Sequence, residues 1–302
     1  MRVPPVVFVG RQPGSSGHHG FFIVSQLHFC VNLTESNANE QTQPAKLAGQ
    51  RGWTRYGECD TLMDANETTG ESTMENMVKD WVSRDPFGYG YLLDFYQRGA
   101  QVRWMDEAGL VLRDDRYGIS YTGGDVPADL PELNGPGLVL TDSGALAEQL
   151  SAAHPDWLHM EFSQAYYLRK EPPRVQARPG VSVRPLTLED MDFVLENYHN
   201  PGAYESHIRQ RIAEGMLGGL VDGVLAGFAG IHQEGALGML EVLPQFRRRG
   251  LAEVLEAAII ARQLEQGRFP YCHVRHGNAA SEALQKKLGL TFDENRTLYW
   301  LG

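Results

Sequence analysis

The chain has 302 residues, 42% of them hydrophobic, and 38 acidic against 27 basic side chains give a formal net charge of −11. The length exceeds one ordinary domain, and the composition is that of a globular protein rather than a disordered one. The negative balance argues against nucleic acid as the main partner, although a local basic turn can still hold one pyrophosphate.

Three cysteines (Cys30, Cys59 and Cys272) lie far apart, with neither metal-binding nor disulfide-framework spacing. They read as reduced thiols in a cytoplasmic protein. No apolar run approaches the length of a membrane span, and residues 10–20 interrupt any secretory signal. No spacing among the ten histidines forms a metal site.

Residues 1–73 read as an extension. From Asn32 to Thr73 they are rich in Thr, Asn, Glu, Gln and Gly, without apolar periodicity, which predicts disorder. Met74 and Met77 precede the first clean helical pattern, so the start of the protein lies either there or at Met1. Residues 74–170 read as a small α+β lobe. Val78, Trp81 and Val82 recur at helical spacing, as do Tyr91, Leu92, Phe95 and Tyr96. Strands follow at 101–106, 109–112 and 118–121 as a meander, then at 137–141. Asp142-Ser143 opens a helix over 145–153, and 162–168 is a strand. No Gly-rich anion turn occurs in this lobe.

Residues 171–180, with three prolines and a terminal Gly, are a linker to a domain spanning 181–302. Its predicted order begins with a strand at 182–185, a capping box of Thr187 and Asp190 opening a helix over 188–198, and a helix over 204–215. Strands at 217–221 and 224–232 turn at Asp222-Gly223, and a strand at 238–244 runs into Arg247-Arg248-Arg249-Gly250-Leu251-Ala252. There a basic Gly turn meets a helix N-terminus, where free N–H groups and the helix dipole favour an anion. A helix to 266, a strand at 268–274, a helix from Asn278 to Leu288 and a last strand at 297–301 complete the domain.

Arg247, Gly250 and Ala252 match the Q/R-x-x-G-x-G/A motif. Asn278, Leu284, Lys287 and Gly289 match N-x-x-A-x-x-L-Y-x-K-x-G-F, with Ser281 in place of Ala and Leu290 in place of Phe. In this order and separation the two motifs resemble the acyl-CoA-binding motifs of the GCN5-related N-acetyltransferase (GNAT) superfamily, nearest to its glycine N-acyltransferase-like, FR47-like branch. The resemblance implies an α+β GNAT fold with a mostly antiparallel sheet and splayed central strands. The N-terminal lobe would be a degenerate GNAT-like unit or an unrelated one. It implies an N-acyltransferase with acetyl-CoA as the default donor, no metal, and a small-molecule or peptide amine as acceptor. Neither nucleic acid nor membrane is an expected partner, and the oligomeric state stays open. Val242 and Leu243 at the splay, the turn from Arg247 through Ala252, Asn278, Ser281 and Lys287 would hold the donor. Two rivals remain: a CoA-binding protein without activity, and a tandem-GNAT enzyme using charged tRNA.

Attack by an amine on a thioester is helped by a general base. Glu234, at the end of the third strand of this domain, is the first choice, also by resemblance to the glycine acyltransferase branch; the rival reading is a solvated loop residue. Glu241 is the second, because a carboxylate inside a central strand is costly unless it faces a polar cleft or a partner. His232 and His273 are lesser choices, and Cys272 lacks the neighbours of a nucleophile. Gln285 stands where many family members have a Tyr that protonates the leaving thiolate. Water, Tyr271 and Tyr299 are the substitutes to weigh, beside departure of the thiolate as the anion.

Overall fold

The computed structural model describes residues 73–198 and 205–302. The expectations for the extension, and for Tyr204 as a helix start, fall outside them.

The N-terminal lobe begins with α1 (Thr73–Val82), which buries Val78, Trp81 and Val82, and α2 (Pro86–Gln97). Asp85 caps α2 by accepting from the Gly88 N–H, and Pro86 sits in the first turn, where its missing donor costs nothing. The strands β1 (Gln101–Met105), β2 (Gly109–Asp114) and β3 (Ile119–Gly124) form an antiparallel meander. A short helix α3 (Pro131–Asn134), which the sequence reading missed, leads to β4 (Leu138–Thr141), parallel to β3. Ser143 caps α4 (Gly144–Ala153), and β5 (His159–Tyr166) ends the lobe.

Residues 171–178 carry no regular structure. Then come β6 (Val181–Pro185), α5 (Met191–Asn197), α6 (Glu205–Ala213), β7 (Leu217–Val221), β8 (Val224–Ile231) and β9 (Leu237–Val242). The helix α7 (Leu251–Glu265), β10 (Tyr271–Arg275), α8 (Ala279–Leu288) and β11 (Thr291–Leu301) close the chain. The capping box at Thr187 and Asp190 forms, but it opens a 3-10 turn over Leu188–Asp190 before α5. β9 stops at Val242, two residues before its predicted end, because Pro244 starts another 3-10 turn.

All eleven strands join in one sheet, in the order β1-β2-β3-β4-β11-β5-β10-β9-β8-β7-β6. Apart from β6, which adds an edge strand beside β7 in the second lobe, the two lobes repeat one topology among the described residues: two helices, an antiparallel meander, a connection to a parallel strand, a helix and a final strand. The final strands are exchanged. β5 of the first lobe pairs with β10, while β11 of the second pairs with β4 and with β5. The lobes named from the sequence therefore share their central strands. β11 is six residues longer at its start than predicted, and a register shift between Phe292 and Thr297 lets it serve both neighbours. Arg296, inside that shift, ion-pairs with Asp293 and Asp142 and with Asp85 of the α2 cap.

Helices cover both faces. The helices α1 and α2 close a core with Tyr91, Tyr121, Phe162, Tyr166, Tyr271 and Trp300. On the opposite face, α7 and α8 close one with Leu237, Leu240, Val242, Cys272 and Val274. Alternation along β10 divides Tyr271 and Cys272 between the two.

Candidate functional site

The site begins where β9 and β10 part. They share one register pair, Leu237 with Cys272, and then diverge. In the first lobe the corresponding strands β3 and β4 hold three consecutive pairs, and the Thr122 hydroxyl donates to the Thr141 hydroxyl at 2.7 Å. That gap is closed. It also lacks a long helix after β3, since α3 has only four residues. One of the two units has kept an opening.

Beyond β9, the chain turns through Arg247, Arg248, Arg249 and Gly250 into α7. Arg248 (φ 65°) and Gly250 (φ 81°) both adopt left-handed backbone, which a non-glycine residue such as Arg248 holds only at a cost of about 1–3 kcal/mol. Gly250 is the N-cap and offers no side chain, so the first-turn N–H groups of α7 have no side-chain cap. A Cβ at Gly250 would meet nothing nearer than Arg178 Nε at 3.7 Å. The Arg178 side chain lines this side of the turn at van der Waals distance, and a basic turn with uncapped first-turn N–H groups fits a CoA diphosphate.

The three arginines separate in role. Arg247 turns back, its Nε donating to the Val242 carbonyl at 3.0 Å, while Leu243 N–H donates to the Ala226 carbonyl at 2.9 Å. Arg249 reaches Asp222 at 3.3 Å, and Arg248 is exposed. Leu251 is buried beneath α7, and Ala252 is half-buried in the same turn. A cation that the sequence reading missed, Arg178 of the linker, donates to the Arg248 carbonyl at 3.2 Å. No motif marks it, because only the return of the linker across the turn brings it there.

On α8, Asn278 is the N-cap and accepts from the Ser281 N–H at 3.1 Å. Ser281 is buried. Lys287 pairs with Glu253 of α7 at 2.5 Å and stays largely exposed.

The two carboxylates sit differently. Glu234 lies in the β8–β9 turn, held by His232 N–H to the Ala236 carbonyl at 2.9 Å and Gly235 N–H to the His232 carbonyl at 3.0 Å. It is 2% exposed, so the solvated-loop reading is excluded. Burial pushes its carboxyl up to about 7, although Arg211 and Arg98 pull the other way. Its Oε1 has no hydrogen-bond partner within the described residues. Tyr271 donates to the Glu234 carbonyl at 2.6 Å. Beside the turn, Arg98 links Asp94 at 2.5 Å to Gln263, at the far end of α7. A side chain at Gly235 would collide with Arg98 and Asp94, which is why glycine stands there.

Glu241 is half-buried inside β9, opposite Phe228, and burial raises it to about 7 against the pull of Arg247. It points away from Leu240 and Val242, which join the α7 core. Between the two carboxylates β9 bulges at Met239 (φ 48°), with a register shift against β8. The Met239 N–H donates to His232 Nε2 at 3.2 Å. His232 is thus a neutral ring that pins the bulge, and burial holds it well below the usual histidine range. His273 is fully buried among Tyr91, Tyr121, Tyr271 and Trp300, and burial lowers it to about 3. Cys272 is buried on the opposite face, in the core of α7 and α8. The uncapped turn thus follows β9 at the open end of the splay, and the buried Glu234 carboxyl precedes β9 near the one pair that closes it.

Comparison with known proteins agrees with this geometry. Residues 214–301 match the family model described as FR47-like protein. A Drosophila protein of known structure superimposes with a TM-score of 0.58 at 18% identity, covering 75% of this chain and 95% of that one. A GCN5-related N-acetyltransferase-like protein from Streptococcus suis does so with a TM-score of 0.52 at 12% identity, covering 77% of this chain and all of that one. At such identities the likeness is one of fold. No curated protein matches.

Proposed function

We propose that the C-terminal domain, of which residues 214–301 match the FR47-like family model, is an acyltransferase of the GNAT type that transfers an acyl group from acyl-CoA to a primary amine. The observation that carries the proposal is the parting of β9 from β10 after one pair, beside a helix N-terminus that has no side-chain cap. A pantetheine arm entering this gap runs between the two parted strands, while the diphosphate meets the first turn of α7 and the Arg248 side chain. Acetyl is the default acyl group, and the acceptor is a small amine or an amine on a peptide.

Glu234 is the base. A carboxyl raised to about 7 is partly ionised at neutral pH and basic enough to take a proton from an attacking ammonium or amine. Arg211 and Arg98 keep its charged form attainable in a buried turn. The bulge at Met239 redirects the backbone of β9 between the donor end and Glu234, with the Met239 N–H held by His232. Attack follows directly within a ternary complex, since Cys272 lies in an apolar core and accepts no acyl group.

Calorimetric titration with CoA, followed by thiol release from acetyl-CoA across an amine panel, tests the reading. Binding together with amine-dependent release supports it, and no binding at millimolar CoA overturns it. A non-catalytic CoA-binding protein, which the Gln285 substitution favours, would bind CoA and release no thiol with any amine.

A further inference from the structure

Ser281 and Gln285 lie one turn apart on α8 and face α7. Both are buried, as is Glu256 on α7, which is 3% exposed. Gln285 Nε2 donates to Glu256 Oε1 at 2.6 Å. Three polar atoms of this cluster have no hydrogen-bond partner within the described residues: Glu256 Oε2, Gln285 Oε1 and the Ser281 hydroxyl. Buried polar atoms are normally satisfied by protein, water or a ligand, and two of these three belong to one bonded pair between α7 and α8, with the third a turn away on α8.

The location narrows what a ligand at this contact would be. The helix α7 packs on β6, β7, β8 and β9, and α8 packs against α7. Leu284 and Leu288 of α8 enter the same core as Cys272 and Val274 of β10. The α7–α8 contact therefore lies over the gap between β9 and β10. The two tyrosines that could have replaced the missing phenol are elsewhere. Tyr271 faces the α2 side and is engaged with the Glu234 carbonyl. Tyr299 pairs with Thr141 and Glu161, with its ring 5.7 Å from His159.

Granted the acyl-transfer reading above, we infer that Glu256, oriented by Gln285, is the acid that protonates the departing CoA thiolate. As the tetrahedral adduct collapses, the C–S bond breaks and its electron pair stays on sulfur. The proton on Glu256 Oε2 passes to that sulfur, giving CoA thiol and a Glu256 carboxylate. The proton lost by the amine leaves through the base to solvent, and Glu256 regains one from solvent before the next turnover. Thioester plus amine becomes amide plus thiol, with no change in oxidation state. Gln285 suits both states of its partner, because an amide donates to a carboxylate through Nε2 and accepts from an acid through Oε1.

Burial supports the assignment by pushing Glu256 up to about 7, so that it holds a proton at neutral pH; the Gln285 hydrogen bond pulls more weakly the other way. The nearby charges are already matched. Glu253 of α7 pairs with Lys287, and Lys286 with Glu282. From β10 the titratable group on this face is the buried Cys272 thiol, and just after β5 it is Tyr167, whose hydroxyl donates to the Glu171 carbonyl.

The test uses the full chain with three readouts. In kcat against pH the wild type should fall above about pH 7 as Glu256 loses its proton. Glu256→Gln should lower kcat by about 10²-fold or more, lose that falling limb and keep the CoA Kd. Independently of turnover, infrared difference spectroscopy should show a protonated-carboxyl band that CoA displaces and that is absent from Glu256→Gln. Adding Gln285→Tyr to that variant should restore turnover by returning a phenol. Unchanged kcat and pH profile in Glu256→Gln, or no carboxyl band that responds to CoA, overturns the inference. Should the variant fail to fold, the response of the wild-type band to CoA and its shift in Gln285→Leu decide. A wild type inactive with every amine sinks the acyl-transfer reading instead.

Discussion

Glu234 and Glu241 illustrate how little a residue type says before its surroundings are known. Both are acids near the same cleft, and both are raised to about 7 by burial. Glu234, however, is enclosed between the lobes with an unpartnered oxygen, whereas Glu241 retains solvent contact. Glu234→Gln should therefore reduce kcat by roughly 10²–10⁴-fold with CoA affinity unchanged, and the defect should shrink at high pH, where the amine is already neutral. Glu241→Gln should cost far less; the reverse ranking in steady-state kinetics would identify Glu241 as the base.

Stability carries the same signature. The Glu234 carboxyl rises from 4.5 unfolded to about 7 folded, so the folded state holds its proton more tightly. Its contribution is fully present below pH 4.5 and is lost as pH rises through about 7. At roughly 1.4 kcal/mol per pH unit between the two values, the loss is on the order of 3 kcal/mol. Urea midpoints of the wild type should fall across this window, and those of Glu234→Gln should fall less.

At the scale of elements, the anion turn was legible because its chemistry is local. A glycine at a helix start with basic neighbours specifies the backbone whatever packs around it. Gly250→Val should weaken CoA binding by about tenfold or more, since φ 81° is strained for a β-branched residue and the added methyls crowd the approach to the turn beside Arg178. Calorimetry showing an unchanged Kd would mean that the diphosphate binds elsewhere. The bulge at Met239 was not legible. A positive φ on methionine is intrinsically unfavourable and persists because β8, His232 and the splay dictate it. The α7–α8 pair of Glu256 and Gln285 was invisible for a related reason: the motif supplies Gln285, and nothing in it points 29 residues back along the chain.

For the whole molecule, the strand exchange has the largest consequence. Residues 181–302 alone would lack β5, leaving β10 with its one pair to β9 and β11 without either sheet neighbour. Such a chain should be insoluble or molten, and co-expression with residues 73–180 should restore a soluble complex that binds CoA. A folded, CoA-binding fragment of 181–302 would show the exchange to be dispensable. A chain beginning at Met74 keeps all but the first residue of the described elements and should retain fold and CoA binding. Loss of both would make the preceding segment integral.

The sequence by itself determined what depends on neighbours along the chain: the helix starts at Ser143 and Asn278, the Asp222-Gly223 hairpin, and the Gly250 turn into α7. Periodicity and backbone preference act over a few residues, so they survive without tertiary information. Only the tertiary structure decided that β5 and β11 change places, that Glu234 is enclosed and His232 is a pin, and that Glu256 meets Gln285. Each of these rests on strand order or desolvation, which arise when segments far apart in sequence exclude water together.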